Sequence, residues 1–391
     1  MEDESCVFDV ELGSQRFGPH YSRMWSSARS TLEKQLLRNY RTIKPIQQED
    51  GEEEEFRHCA LVFPSGIAAI SCAVETALRE GSIEDIAGQL KRRSISFIHG
   101  HELYDDTHRT LKFAADTHTP FVKRVCTNVC SGSRDSDDIM DDAVVGRITA
   151  LAQDLKKDGF PCKVLFLESC TNPSGKFPNI SKLSKALKTI DPECLVIVDN
   201  TFLSGALFNP LDFGADVVVE SLTKYNSASG CIAGSLVAHD SVIAPFLHWH
   251  EAHGGHVSAS HCDLIRERAS TLRERVCVAS RVAAGVASWL EGGDGSQQAS
   301  NAKAGGPLAV VDRVLHASLL SHPTHAIAQE ELAAAFKSIT ANGDAHNDDQ
   351  AAAAASVVEV VLPSLPLGPA TLWFHVSSAS RSAVYEAITT T

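Results

Sequence analysis

Lys224 stands in DVVVESLTKYNSASG (216–230), where an apolar, strand-like run ends among Ser221, Thr223, Ser227 and Ser229. A partly dehydrated amine in such a place can condense with a carbonyl group to form a Schiff base. Most lysines at strand ends simply face solvent, so chemistry here needs further parts. Asp199 closes the apolar run of VIVDNT, where a carboxylate can keep a heteroaromatic ring nitrogen protonated. Ser65, Gly66 and Ile67 in PSGIAAI stand just before a helical run, so backbone N–H groups at a helix start and a hydroxyl are available to a phosphate. Ser221 and Thr223 add two hydroxyls beside the lysine. Amine, carboxylate and phosphate cradle are the three handles of pyridoxal 5′-phosphate, whose ring serves as an electron sink. A serine-glycine turn before a helix is common, and an aspartate after a strand is often only a cap. The order and spacing of all three parts carry the reading.

The elements that must position these residues alternate. CALVFPSG (59–66) reads as a strand closing on a turn, followed by the helical spacing of IAAISCAVETALREG. SISFIHG (94–100) reads as a further strand, and DDAVVGRITALAQDLKKDG (141–159) as an amphipathic helix with a Lys-Lys-glycine stop. CKVLFLES (162–169), CLVIVDNT (194–201) and ADVVVES (215–221) are continuous apolar runs, the pattern of strands buried on both faces, and ISKLSKALKTI between the first two is helical. The alternation predicts a mostly parallel sheet covered by helices, with ligands at the carboxyl ends of its strands, where Ser65, Asp199 and Lys224 fall. After residue 255 a long helical stretch, CDLIRERASTLRERVCVASRVAAGVASWLEGG, leads through the Gly/Ser/Gln-rich segment 292–307 to a second, smaller domain with its own loop at 342–356. The acidic run EDGEEEEF (49–56) reads as a solvated loop.

With 391 residues, the chain can bury at least one large core and form two domains. A formal net charge of −14 argues against nucleic-acid and anionic-membrane partners, though not against a small phosphorylated ligand in a local basic pocket. No apolar run is long enough to span a bilayer, and the acidic start MEDESCVFDVELGSQRF lacks a secretory core. Eleven cysteines without framework spacing point to reduced thiols in a cytoplasmic compartment, and Cys126 and Cys130 have no second ligand pair, so no metal is expected. There is neither a G-x-x-x-x-G-K-[ST] nor a G-x-G-x-x-G nucleotide cradle.

YSR (21–23) followed by LE (32–33), PSGIAAI (64–70), ELYDDTHR (102–109), ESCTNPSG (168–175), VDNTF (198–202), ESLTKY (220–225) and SLLSHPTHAIA (318–328) occur in one order. In that order the chain resembles the cysteine/methionine metabolism family of pyridoxal-phosphate enzymes, which includes cystathionine γ-synthase, the cystathionine lyases, methionine γ-lyase and the O-acylhomoserine sulfhydrylases. The resemblance spans roughly residues 20–330. It implies an α/β fold of the aspartate-aminotransferase-like fold type I, with a large cofactor domain and a smaller α+β C-terminal domain. The expected divisions are an N-terminal arm over 1–48, the cofactor domain over 49–255 and the C-terminal domain over 256–391.

Roles follow from the same resemblance. Lys224 would hold the cofactor and, once released, move protons between substrate carbons. Tyr104 would stack on the ring and assist at the leaving group, Asp199 would pair with the ring nitrogen, and Asn172 would lie near the phenolic oxygen or the substrate carboxylate. Ser65, Gly66, Ile67, Ser221 and Thr223 would bind the phosphate. Tyr21 and Arg23 would reach the phosphate of a neighbouring subunit, implying a homo-oligomer built as a dimer of dimers.

The match also fails in places. Ser26-Ser27-Ala28 replaces the family's Asn-Pro-Thr, and Asp105 and Asp106 replace the glycines after the stacking tyrosine. The arginine that pairs with the substrate carboxylate has no counterpart: TLWFHVSS (371–378) carries an aromatic residue there, SLPLGPATL (364–372) is an alternative match, and Arg381 does not fit the role. The expected function is a transsulfuration enzyme taking a small amino acid, with γ-replacement or γ/β-elimination on cystathionine or an O-acylhomoserine-like compound. The alternative is a weak or inactive paralogue acting as a subunit or regulatory partner.

Overall fold

The computed structural model describes residues 26–40, 45–46, 55–86, 89–130, 140–291, 311–340 and 373–376. Seven strands form the central sheet: β1 (His58–Phe63), β2 (Ile95–Gly100), β3 (Val122–Thr127), β4 (Cys162–Glu168), β5 (Leu195–Asp199), β6 (Val217–Glu220) and β7 (Gly234–His239). Their order across the sheet is β1-β7-β6-β5-β4-β2-β3. All neighbours pair in parallel except β7, which runs antiparallel to both β1 and β6. The carboxyl ends of β1, β4, β5 and β6 therefore share one edge of the sheet.

The apolar runs are continuous because both faces are covered. Val164 and Phe166 pack into one buried cluster, while Leu165 and Leu167, pointing the other way, pack into a second. The first cluster takes in Val74 and Leu78 of α2 (Gly66–Ser82) and Leu111 of α3 (Asp105–Thr117). The second takes in Ile148 of α4 (Met140–Lys157), Leu183 and Leu187 of α5 (Ile180–Ile190), and Leu32 and Leu36 of α1 (Ser27–Asn39). Ser26, one of the residues standing where the family has Asn-Pro-Thr, caps α1 by accepting from the Arg29 N–H at 3.4 Å.

Two sequence expectations need correction. The stretch after residue 258 is not one long helix. It follows α6 (Asp240–Ala252) as α7 (Ala259–Ala269) and α8 (Leu272–Leu290), broken at Ser270 and Thr271. There Ser270 Oγ and Thr271 Oγ1 donate to the carbonyls of Glu267 and Arg268, and the Arg275 guanidinium donates to the Arg268 carbonyl as well. Side chains thus take carbonyls that a continuous helix would use. The acidic run is not all loop: Glu55–Phe56 pairs with Pro45–Ile46 as a short antiparallel ribbon, and residues 49–54 lie outside the described residues. The strand expected within 371–378 is present as Trp373–Val376, antiparallel to Val311–Leu315, and α9 (His325–Thr340) follows the latter. The segments 292–307 and 342–356 and Arg381 lie outside the described residues. No helix among the described residues is long and apolar enough to cross a membrane.

Candidate active site

Ser65 follows β1 and caps α2, its Oγ accepting from the Ala68 N–H at 3.0 Å. The first N–H groups of α2, on Gly66 and Ile67, have no intrahelical acceptor and open toward the carboxyl edge of the sheet. Gly66 sits against the residue following β6, and a Cβ built on it would lie 2.8 Å from Ser221 Cβ. Gly234 at the start of β7 underlies the same turn, where an added Cβ would come within 2.3 Å of the Ser65 carbonyl oxygen. A small cradle of backbone N–H and hydroxyl groups results, held open by two glycines.

Thr201 joins this cradle to the next strand. It donates from Oγ1 to Asp199 Oδ1 at 2.6 Å and accepts from the Ser221 N–H at 2.8 Å. Asp199 is 9% exposed and closes β5, as anticipated. Burial pushes its carboxyl up, against the lowering effect of the two hydrogen bonds from Thr201. Its register partner on β4 is Glu168, which burial and then the Asp199 charge push well above the usual carboxylate range. Two buried carboxylates side by side suit a site that receives a cation.

Glu168 reaches outward as well. Oε1 accepts from the Tyr104 N–H at 2.8 Å and Oε2 from the Asn172 N–H at 2.9 Å. Tyr104 and Asn172, taken from two separate motifs, are thereby brought to one place. Tyr104 is 45% exposed and caps α3 without a side-chain bond, so it is no core aromatic. Its hydroxyl donates to Asp106 at 3.4 Å, and the Arg109 guanidinium holds the same carboxylate.

Lys224 is exposed, not partly dehydrated as its sequence setting suggests, and no side chain among the described residues bonds to its amine. The turn that carries it is fixed from below. The Lys224 N–H donates to the Ser221 carbonyl at 3.3 Å, and Thr223 Oγ1 both donates to the Ala233 carbonyl at 3.2 Å and accepts from the Ala233 N–H at 3.1 Å. Thr223 thus spends its hydroxyl proton on closing the loop, whereas Ser221 stands directly against the cradle. Tyr21 and Arg23 lie outside the described residues. No cluster of three metal-ligating side chains occurs among the described residues.

Sequence reasoning missed Thr201, Glu168 and Glu220. Glu220 closes β6, accepts from Tyr40 Oη at 3.1 Å and Asn226 Nδ2 at 2.6 Å, and is pushed up by burial to about 8. A signal was present: three buried apolar runs in succession each end on a carboxylate, at Glu168, Asp199 and Glu220.

Comparison with known proteins sets this geometry in context. The model of the Cys/Met metabolism PLP-dependent enzyme family matches residues 5–365. Cystathionine beta-lyase of Saccharomyces cerevisiae is 27% identical over 305 residues, covering 77% of this chain and 57% of that protein. O-succinylhomoserine sulfhydrylase of Pseudomonas aeruginosa is 31% identical over 170 residues, covering 43% of this chain and 38% of that protein. The crystal structure of cystathionine gamma synthase from Xanthomonas oryzae pv. oryzae superposes with a TM-score of 0.58 at 24% identity, over 80% of this chain and 64% of that one. The chain thus spans less than two thirds of the length of each of these relatives, and the structural likeness supports the fold type I architecture.

Proposed function

Because the chain belongs to the Cys/Met metabolism PLP-dependent enzyme family, we propose that it is a pyridoxal-phosphate-dependent enzyme of transsulfuration, acting in the cytoplasm on a small amino acid. The reaction is γ-replacement or γ/β-elimination on cystathionine or an O-acylhomoserine-like amino acid. The observation that carries this reading is the continuous chain from Gly66 through Ser221 and Thr201 to Asp199, because it joins a phosphate cradle to a buried carboxylate beside the turn bearing Lys224.

When bound, the cofactor supplies an electron sink that stabilises negative charge on the substrate α-carbon. The rest falls to the chain's own residues. Lys224 Nζ would anchor the cofactor and move the substrate protons. Asp199 would hold positive charge at the ring nitrogen, Ser65, Gly66, Ile67 and Ser221 would receive the phosphate, and Tyr104 and Asn172 would lie beside the cofactor and substrate. Tyr21 and Arg23 of the N-terminal arm would complete the phosphate site of a second subunit, while α1 within 1–48 packs on this chain's own sheet, and the cofactor domain over 49–255 would precede the smaller domain over 256–391.

The test is the visible absorption of the purified protein with added pyridoxal phosphate, before and after cystathionine. A long-wavelength band that Lys224→Ala removes, and that cystathionine perturbs as keto acid accumulates, is the expected result. A band indifferent to cystathionine points to another amino-acid substrate or to the inactive paralogue, which the missing carboxylate arginine already motivates. Absence of any band overturns the proposal.

A further inference from the structure

Tyr104 and Asn172 have little to hold their side chains. The Tyr104 ring is half exposed, its hydroxyl reaches only Asp106 at 3.4 Å, and Asp106 is drawn more tightly by Arg109 at 2.5 Å. The half-buried Asn172 side chain makes no hydrogen bond among the described residues. What fixes both residues is their backbone, and both backbone N–H groups end on the two oxygens of one carboxylate.

We propose that Glu168 is a positioning residue, a two-pronged clamp that sets the spacing between Tyr104 and Asn172 across the mouth of the site. Its functional meaning rests on the cofactor site proposed above, while the clamp itself is a property of the fold. Glu168 is only 6% exposed and stands in register with the buried Asp199, so its charge is expensive to maintain there. An apolar residue would fill the position at lower cost but would leave both N–H groups without acceptors. Two hydrogen bonds from backbone N–H groups offset part of the burial and convert it into fixed geometry.

A second carboxylate backs the first. Glu102 accepts from Thr171 Oγ1 at 2.9 Å, from Lys176 Nζ at 2.8 Å and from Ser174 Oγ, drawing the 171–176 loop onto the segment that leads into Tyr104. From the opposite side His322 Nε2 meets the Ser174 carbonyl at 3.1 Å. The loop bearing Asn172 is thus anchored on three sides, and Glu168 is the one contact that also touches the Tyr104 backbone.

Glu168→Gln and Glu168→Asp separate this role from simple stability. The amide offers one accepting oxygen and turns its N–H donors against the other backbone N–H, so one prong is lost without a change in size. The aspartate keeps the carboxyl but is one methylene short of both N–H groups. The measurement is hydrogen exchange by mass spectrometry on the full-length protein, with melting temperature and pyridoxal-phosphate affinity read in parallel. Exchange should accelerate about tenfold, the equivalent of one lost hydrogen bond, in peptides covering 103–106 or 171–175 for Glu168→Gln and in both for Glu168→Asp. The β4 and β5 peptides should stay unchanged, and cofactor affinity should fall at least threefold. Unchanged exchange in both peptides would overturn the clamp. So would acceleration spread through the sheet, or failure of both variants to fold, since either makes Glu168 a structural residue. A wild-type protein that binds no cofactor would remove the proposed function and leave the exchange result standing.

Discussion

Glu168, Asp199 and Glu220 end three adjacent strands, and all three are buried. Such carboxylates make stability depend on pH, and Glu220 has the clearest value. Its carboxyl stands at about 8 in the folded protein against an ordinary value near 4.5. Below that ordinary value both folded and unfolded chains carry the proton, and Glu220 contributes no pH dependence. As pH rises from 4.5 to 8 the unfolded chain ionises first, so stability falls by about 1.4 kcal/mol per pH unit from this group. Above 8 the slope from Glu220 vanishes. Glutamine mimics the protonated acid, taking the Asn226 amide on its oxygen and donating toward Tyr40. Glu220→Gln should therefore fold and lose about one proton's worth of slope between pH 4.5 and 8, measured as denaturant midpoint against pH. An unchanged slope would show that Glu220 is ionised in the fold. At this scale the sequence was partly legible: Lys224, Asp199, Ser65 and Gly66 could be chosen because each has the chemistry its place requires. Thr201 could not, because its value lies in bridging two strands whose adjacency no local pattern reveals.

The strand–helix alternation was legible because burial on both faces removes polar residues from every strand, leaving runs that only a covered sheet explains. The edge strand β3 was harder to see. Val122 is buried but Lys123 and Arg124 are exposed, which breaks the apolar run. The break between α7 and α8 was hidden for another reason, since Ser270 and Thr271 act through local side-chain bonds that helical periodicity ignores. Elements also meet at points that substitution can probe. An alanine at Gly234 would press on the Ser65 carbonyl and Gly66 Cα, both backbone atoms that cannot rotate away. Gly234→Ala should cost about 1–3 kcal/mol and weaken cofactor affinity, because β7 pushes the start of α2 off the end of β6. The opposite end of the sheet supplies the contrast. Lys163, at the start of β4, is paired in the interior with Asp191 at 2.7 Å, and removing it leaves a buried carboxylate unpaired. Lys163→Ala should lose about 3–5 kcal/mol in urea denaturation, with cofactor affinity of the folded protein unchanged. Equal losses of affinity in both variants would show that the cradle responds to general loosening and not to the contact at Gly234.

At the scale of the whole molecule, the turn bearing Lys224 is open. Lys224 is exposed, Ile232 in the same loop is 67% exposed and Tyr104 is 45% exposed. A net charge of −14 on each copy opposes association at low ionic strength, so a second chain covering this turn would be sensitive to salt. If Arg23 of one copy completes the phosphate site of another, chains with complementary defects should rescue each other. Arg23→Ala keeps Lys224 but lacks the donated cation, and Lys224→Ala keeps Arg23 but lacks the amine. Each homo-oligomer should bind pyridoxal phosphate weakly or form no Schiff-base band. Mixed and reassociated at moderate salt, the two should form hetero-oligomers in which the Arg23→Ala chain supplies Lys224 and its partner supplies Arg23. One site per mixed dimer is then intact, and the long-wavelength band should return to about a quarter of the wild-type amplitude if assortment is random, because half of the dimers are mixed and each has one working site of two. Sedimentation velocity on the same mixture establishes that dimers are present. A mixture of reassociated dimers that shows no recovered band would place Arg23 within its own subunit's site, and a wild-type band from Arg23→Ala alone would place it outside the site.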